Sequence, residues 1–213
     1  MMHKIKKTLL TGLIALSLCA AFTASAAELS APQQVIQETS DLLSAAVQKN
    51  KQRLDNRAYV LQLVNEIIEP RIDLDKVSKL VLGKYWRKAS EHQKKQFQHE
   101  FKGLLVNTYA AAFKELDEWT VHFLPMYLDP AKKRLIVKTE IIQPSRPPVA
   151  VNYRMAVNKK GEWKAYDVII EGISMVINYK ASFAKHVKES GGLESVIQQL
   201  VEKNKRSRAA AKQ

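Results

Sequence analysis

The clearest structural signal in this chain of 213 residues is the run VAVNYRMAVNKKGEWKAYDVII at residues 149–170. In its first half, apolar side chains alternate with small or polar ones, a period of two that is typical of a strand with one buried face. A Lys-Lys-Gly turn at residues 159–161 leads into a second strand, residues 163–170. Because the turn is short, the two strands are predicted to pair antiparallel, with one sheet face almost wholly apolar.

The segment before this hairpin adds two more strands. Trp119, Val121 and Phe123 alternate with polar residues, and a second alternating run covers residues 135–141 after a turn at residues 129–130. Strands that follow one another this closely are expected to be antiparallel neighbours. Four antiparallel strands are therefore predicted.

Helical segments flank the strands on both sides. Ser90 with Gln93 forms a capping box at the start of one helix, Pro70 ends another, and Asp73 and Gly83 bound a short third one. This order of elements predicts an α+β domain whose sheet is covered on one face by helices. Apolar residues recur at helical spacing over residues 35–47, 60–68, 77–81, 97–116, 176–187 and 193–200.

The two ends of the chain differ from this domain. Residues 1–26 have lysines, then an apolar run, then Ala-Ser-Ala, which is the order of a cleavable secretory signal peptide. Residues 27–202 are predicted to form a single α+β domain. Residues 203–213 are a basic tail that is expected to be disordered. The net charge of +13 favours an anionic membrane surface or an acidic protein over nucleic acid as a partner, and plain solubility explains it equally well.

Few residues offer catalytic or metal-binding chemistry. The single cysteine, Cys19, lies in the signal segment, no serine stands in a Gly-x-Ser-x-Gly elbow, and the histidines lack the spacing of metal ligands. No glycine-rich phosphate loop is present. Asp167 and Glu171 would share one side of a regular strand, as an acid–base pair requires, but pairing with Lys164 or capping of the next turn explains them better. No catalytic residue and no metal are predicted.

Two blocks of the sequence resemble the MlaC family, the periplasmic phospholipid-binding proteins of the Mla (maintenance of lipid asymmetry) system, which includes the toluene-tolerance Ttg2-type proteins. The first block is LGKYW at residues 82–86, followed by a helix with phenylalanines at 97 and 101. The second is WKAYDVIIEGISMV at residues 163–176, with Asn-Tyr at 178–179 and Phe183 beyond it. The resemblance covers most of the chain after the signal segment, in the same order of elements.

The resemblance implies a carrier without enzymatic activity. It would be a periplasmic monomer whose cargo is phospholipid, and it would need no cofactor. Its partners would be an inner-membrane Mla ABC transporter with an MCE-domain subunit and an outer-membrane lipoprotein–porin complex, and its role would be to maintain outer-membrane asymmetry. The implied fold is a curved four-stranded antiparallel sheet wrapped by amphipathic helices, an NTF2-like or cystatin-like cone around a deep apolar pocket.

The lipid-binding residues are expected on the inner sheet face and on the helices that face it. For each residue alone, a place in an ordinary core is an equally good interpretation. Two other functions stay open: a periplasmic chaperone or adaptor with an apolar groove, and an isomerase or hydrolase of a small apolar ligand. The candidate residues are Phe97, Phe101, Leu105, Tyr109, Val137, Ile141, Val151, Tyr153, Met155, Val168, Ile170, Ile173 and Val176.

An empty pocket would be costly. At the slope measured for engineered cavities, an empty apolar volume of about 1,000 Å³ would cost roughly 24 kcal/mol, more than the whole stability of a domain. We therefore expect the pocket to contract or to keep lipid from the host cell.

Overall fold

Helices, an antiparallel sheet and further helices follow one another in the computed structural model, which describes residues 28–115, 118–129 and 131–210. The predicted signal peptide lies outside these residues. The helices are α1 (Ala31–Lys49), α2 (Arg57–Leu63), α3 (Leu74–Leu82), α4 (Glu91–Glu115), α5 (Met175–Glu189) and α6 (Leu193–Ala210). The strands are β1 (Thr120–Phe123), β2 (Arg134–Ile142), β3 (Val149–Val157), β4 (Trp163–Ile170) and β5 (Ile173–Ser174).

The predicted helix boundaries are confirmed at α3 and α4. The Asp73 side chain accepts a hydrogen bond from the Lys76 backbone N–H at 3.0 Å, and α3 ends at Gly83, whose φ of +54° suits glycine. Ser90 and Gln93 exchange the two hydrogen bonds of a capping box, each at 3.1 Å, at the start of α4. These local signals could be interpreted correctly because they depend on neighbouring residues only.

The chain between α2 and α3 changes helix type. Val64–Ile68 forms a turn of π-helix, and Glu69–Arg71 forms a turn of 3₁₀-helix that contains Pro70. Ile72 then pairs with Ala165 of β4, and the Asp73 N–H donates to the Ala165 carbonyl at 2.9 Å. This hydrogen bonding attaches the start of α3 to the edge of the sheet.

The sheet has the strand order β1-β2-β3-β4-β5, and every neighbouring pair is antiparallel. The prediction of four strands was one strand short. Glu171 and Gly172, with φ of +48° and +82°, form a two-residue turn that returns the chain and places Ile173 opposite Ile170. The extra strand, β5, has two residues, which is too few for an alternating pattern to indicate it.

A β-bulge interrupts the pairing of β3 with β4 between Arg154 and Met155. Tyr153 lies opposite Val168, whereas Met155 lies opposite Ala165. Residues two apart on β3 share a face, so Val168 and Ala165 also share one, although they are three residues apart. The sequence pattern predicted that side chains along β4 alternate regularly between the two sheet faces. This alternation does not hold past the bulge.

The main core lies between the helices. Phe97, Phe101 and Phe183 join α4 to α5, with the two α4 rings stacked at a centroid distance of 5.4 Å and Phe183 edge-on to Phe97 at 5.3 Å. A smaller core joins α1 to the sheet, where Ile36 packs against Val137 and Met155. The predicted cover of one sheet face by helices is thus provided by α1.

Residues 203–210, predicted to be a disordered tail, instead continue α6 as far as Ala210. Asn204 is only 2% exposed, and its side-chain amide donates to the Glu100 carbonyl at 2.9 Å and to the Glu100 carboxylate at 2.6 Å. Asn107 donates to the Asn204 side-chain oxygen at 2.8 Å. The basic composition suggested disorder, but one buried amide fixes this part of α6 against α4.

An apolar cavity as the candidate functional site

A cavity of about 370 Å³ lies between the helices and the β4 edge of the sheet. Its walls come from α2 with the π-helical turn, from α3, α4 and α5, and from β4. The lining is apolar except for three charged residues and the hydroxyl groups of tyrosines. The lining residues are Val64, Ile68, Glu69, Ile72, Leu74, Val77, Val81, Phe101, Lys102, Leu105, Val106, Tyr109, Ala165, Tyr166, Asp167, Val168, Ile170, Met175, Val176 and Tyr179.

The wall formed by α2 and the π-helical turn carries two apolar rows instead of one. Leu63 and Ile67 are buried in the core that α2 shares with α1. Val64 and Ile68 are the next residues along the chain, are half-buried, and line the cavity. An amphipathic helix that packs on a single neighbour needs one apolar stripe, so the second row is available for the cavity.

The α4 and α5 walls follow ordinary helical spacing. Phe101, Leu105 and Tyr109 lie four residues apart on α4 and form one stripe, while Val176 and Tyr179 lie three apart on α5. The Tyr109 hydroxyl donates to the Met175 sulfur at 3.5 Å. Two adjacent walls are therefore connected across the cavity by side chains that also line it.

Two lining tyrosines add a polar edge to these walls. Burial, and then the neighbouring Tyr109 hydroxyl, raise the pKa of Tyr179 far above its usual value. The Tyr179 phenol therefore stays neutral at physiological pH and presents a hydroxyl group without charge.

The charged residues of the lining include one ion pair. The Lys102 ammonium on α4 lies 2.8 Å from a Glu69 carboxylate oxygen on the 3₁₀ turn. The Lys102 side chain is 21% exposed and that of Glu69 is 39% exposed, so the pair lies where the cavity meets solvent. It connects α4 with the 3₁₀ turn that follows the π-helical turn.

The third charged residue, Asp167, is buried and fully engaged by neighbours. Its carboxylate accepts hydrogen bonds from the Ser174 hydroxyl at 2.6 Å and from the Val176 N–H at 3.0 Å, and lies 3.7 Å from the Arg154 Nε. A carboxylate at this point stabilises the N–H groups in the first turn of α5, which have no carbonyl partner within the helix. Glu171 instead accepts from the Ala150 N–H in the exposed β4–β5 turn. The two carboxylates thus have separate structural partners and do not form the acid–base pair considered from the sequence.

Six of the residues predicted to bind lipid line this cavity. All six lie on α4, β4 or α5, where strand or helix periodicity identified an inward stripe. They are Phe101, Leu105, Tyr109, Val168, Ile170 and Val176.

The other seven predicted residues lie elsewhere. Phe97 is in the helical core, and Val137, Tyr153 and Met155 belong to the core beneath α1. Ile141 and Val151 are half-buried on the same face of β2 and β3, outside the cavity lining. Ile173 is 63% exposed on β5. The inward sheet face is mostly filled by α1, and this tertiary contact left no periodic signal in the sequence.

The wall formed by the π-helical turn and α3 was not predicted from the sequence. Val64, Ile68 and Val77 belong to apolar stripes that predicted only helix packing. The double apolar row of residues 63–68 was the available signal, since such a width exceeds one helix contact.

Two global properties of the described residues bear on this site. Within residues 28–115, 118–129 and 131–210, no three His, Cys, Asp or Glu side chains are grouped so that they could hold a metal ion. None of the helices in those same ranges combines the length and the apolar character of a membrane-spanning segment.

Comparison with known proteins gives consistent matches. The MlaC protein family matches residues 37–202. The toluene tolerance protein ttg2D of Pseudomonas putida is 30% identical over 182 residues, which are 83% of this chain and 82% of that protein. The intermembrane phospholipid transport system binding protein MlaC of Haemophilus influenzae is 25% identical over 148 residues, 68% of this chain and 69% of that protein.

A solved structure agrees with the sequence relatives. The phospholipid-binding protein from Ralstonia solanacearum, in complex with a phospholipid, superimposes with a TM-score of 0.78 at 29% identity, covering 84% of this chain and 99% of that one. The α+β fold with an antiparallel sheet and the family match over residues 37–202 lead to the same assignment. The chain belongs to the MlaC protein family.

Proposed function

We propose that this protein binds a phospholipid in the apolar cavity and carries it through the periplasm. The observation that carries the proposal is the cavity itself, which is apolar in nearly all of its lining and opens to solvent beside one ion pair. Acyl chains would lie among the apolar walls, and the headgroup would stay near water. The phospholipid-bound relative from Ralstonia solanacearum and the MlaC protein of Haemophilus influenzae support this assignment.

Simple energetics favour a lipid as the ligand. An acyl chain of about 15 methylenes gains roughly 12 kcal/mol when it leaves water, at ~0.8 kcal/mol per methylene. The volume of about 370 Å³ lies in the range of ~300–1,000 Å³ that is typical of pockets for small organic ligands. Walls of Val, Ile, Leu and Phe offer a long chain dispersion contacts and present few unpaired polar groups to it.

The carrier role extends this binding function. A lipid that crosses an aqueous compartment needs a protein that covers its chains during transit. We propose that the protein exchanges phospholipid with an inner-membrane Mla ABC transporter containing an MCE-domain subunit and with an outer-membrane lipoprotein–porin complex, and that this exchange maintains outer-membrane asymmetry. The predicted signal segment at residues 1–26 supports the periplasm as the compartment.

Lipid retention by variants of the cavity wall tests the proposal. Leu105→Glu would place a carboxylate among apolar walls and is expected to abolish phospholipid recovered by organic extraction and mass spectrometry. Ile68→Trp would fill the cavity without adding charge and is expected to reduce recovery strongly. Circular dichroism would establish that each variant is folded.

A matched variant separates cavity effects from general damage. Ile173→Glu introduces the same carboxylate at a residue that is 63% exposed and outside the cavity lining, so lipid recovery should match that of the unmodified protein. Equal lipid recovery from folded Leu105→Glu and from Ile173→Glu would contradict the assignment of this cavity.

A further inference from the structure

The Lys102–Glu69 ion pair is partly exposed and lies in the lining of the cavity. Among the lining residues that the structure describes, Lys102 is the only cation, and Glu69 is the carboxylate that faces it at 2.8 Å. The other charged lining residue, Asp167, is occupied by Ser174, Val176 and Arg154. At the border of the cavity with solvent, the lining therefore offers one positive and one negative group to a ligand.

The pair joins two separate elements, α4 and the turn between α2 and α3. Glu69 lies on the 3₁₀ turn directly after the π-helical turn, and π-turns of this kind occur frequently at functional sites. A neighbouring contact, between α4 and α3, runs from the Gln98 side-chain amide to the Asp75 carboxylate and is long at 3.4 Å. Partly exposed ion pairs contribute little to stability, so the two charges can exchange partners at small cost.

A zwitterionic headgroup carries the complement of this pair. A phosphodiester attached to an ethanolamine has a negative phosphate a short distance from a positive ammonium. The phosphate would accept from the Lys102 ammonium and the headgroup ammonium would donate to the Glu69 carboxylate, which replaces one ion pair by two. A glycerol headgroup bears only the phosphate charge and would leave Glu69 beside it without a cation.

We infer that Lys102 and Glu69 form a headgroup site that selects zwitterionic over anionic phospholipid. The inference rests on the proposed function, because it requires the acyl chains to occupy the cavity. In it, Lys102 recognises the phosphate of any phospholipid, and Glu69 supplies the discrimination. Loss of the Glu69 charge should therefore change which lipid is bound, whereas loss of the Lys102 charge should change how much is bound.

A competition experiment tests the two roles. Protein freed of lipid by organic solvent and refolded would be incubated with vesicles containing equal amounts of phosphatidylethanolamine and phosphatidylglycerol, separated from them by gel filtration, and analysed by lipid mass spectrometry. The unmodified protein should take up more phosphatidylethanolamine. Glu69→Gln should shift the ratio toward phosphatidylglycerol by about three- to fivefold, the size expected for one partly exposed charge pair. Lys102→Gln should lower the uptake of both lipids.

A matched ion pair elsewhere on α4 provides the control. Lys94 pairs with Glu91 at 2.7 Å, its side chain is 22% exposed, and neither residue lines the cavity. Lys94→Gln and Glu91→Gln should leave both the amount and the ratio of lipid unchanged.

The outcomes distinguish this inference from the proposed function. Lipid uptake by every protein, with the same ratio in Glu69→Gln as in the unmodified protein, would overturn the headgroup site and leave the carrier role standing. No uptake of either lipid by the unmodified, folded protein would overturn both. If Glu69→Gln failed to fold, Glu69→Ala would take its place with the same expected shift in ratio.

Discussion

At the scale of single residues, Tyr153 shows how burial changes titration. Burial raises the pKa of Tyr153 to about 12 from 10.0, against the smaller opposing effect of a hydrogen bond with Thr139. The residue lies in the core beneath α1, although sequence periodicity made it a lipid-binding candidate. Strand alternation assigned it to the correct face, but which element covers that face depends on contacts between distant parts of the chain.

This pKa shift predicts a loss of stability at high pH. Between pH 10 and about 12 the folded protein keeps the Tyr153 proton while the unfolded chain loses it, so the free energy of unfolding falls as pH rises. By the upper end of that window, this residue alone should lower the free energy of unfolding by roughly 2 to 3 kcal/mol. Urea unfolding across the window should show a flatter decline for Tyr153→Phe than for the unmodified protein. An identical decline in both proteins would contradict the assigned shift.

At the scale of elements, the contact of α6 with α4 depends on a close approach at Gly103. A methyl group at Gly103 would lie 2.8 Å from the side-chain nitrogen of Asn204, which three hydrogen bonds to Glu100 and Asn107 hold in place. Helix capping signals and apolar stripes predicted where α4 and α6 begin, but not this packing. The sequence showed Asn204 within a basic run, and its burial comes from the fit between two helices.

Because of this close approach, Gly103→Ala should change stability in the direction opposite to the usual one for a glycine inside a helix. Gly→Ala in the middle of a helix ordinarily stabilises by about 1 kcal/mol, whereas Gly103→Ala should destabilise by about 1 to 3 kcal/mol because Asn204 cannot move away. Asn204→Ala alone should also destabilise, since the Glu100 carboxylate loses a partner. In that background, Gly103→Ala should become neutral or stabilising. Urea unfolding of the four proteins measures this coupling, and a stabilising Gly103→Ala in the unmodified protein would refute it.

The strands show the same division between local and tertiary information. The hairpin of β3 and β4 was predictable because alternation extends over eight or nine residues in each strand. The bulge opposite Arg154 and the short β5 were not, since each depends on the backbone conformation of one or two residues. Both features affect the site: the bulge places Ala165 on the face of Val168, and β5 leads into α5.

At the scale of the whole molecule, leaving the cavity empty would lower the stability of the folded protein. If empty and closed, about 370 Å³ would cost roughly 9 kcal/mol, at ~24 cal/mol per Å³. A domain has about 5–15 kcal/mol of stability in total, so a ligand that fills the cavity has a strong advantage over an empty one. The resemblance to the MlaC family predicted an apolar pocket, whereas periodicity alone could not distinguish a cavity wall from a solid core.

Native mass spectrometry of the protein purified from its host without added lipid tests the central claim most directly. We expect the folded protein to carry the added mass of a phospholipid, and organic extraction to release a lipid of the same mass. Leu105→Glu, prepared in parallel, should give the bare polypeptide mass. A folded, unmodified protein that shows only the bare polypeptide mass would contradict the account.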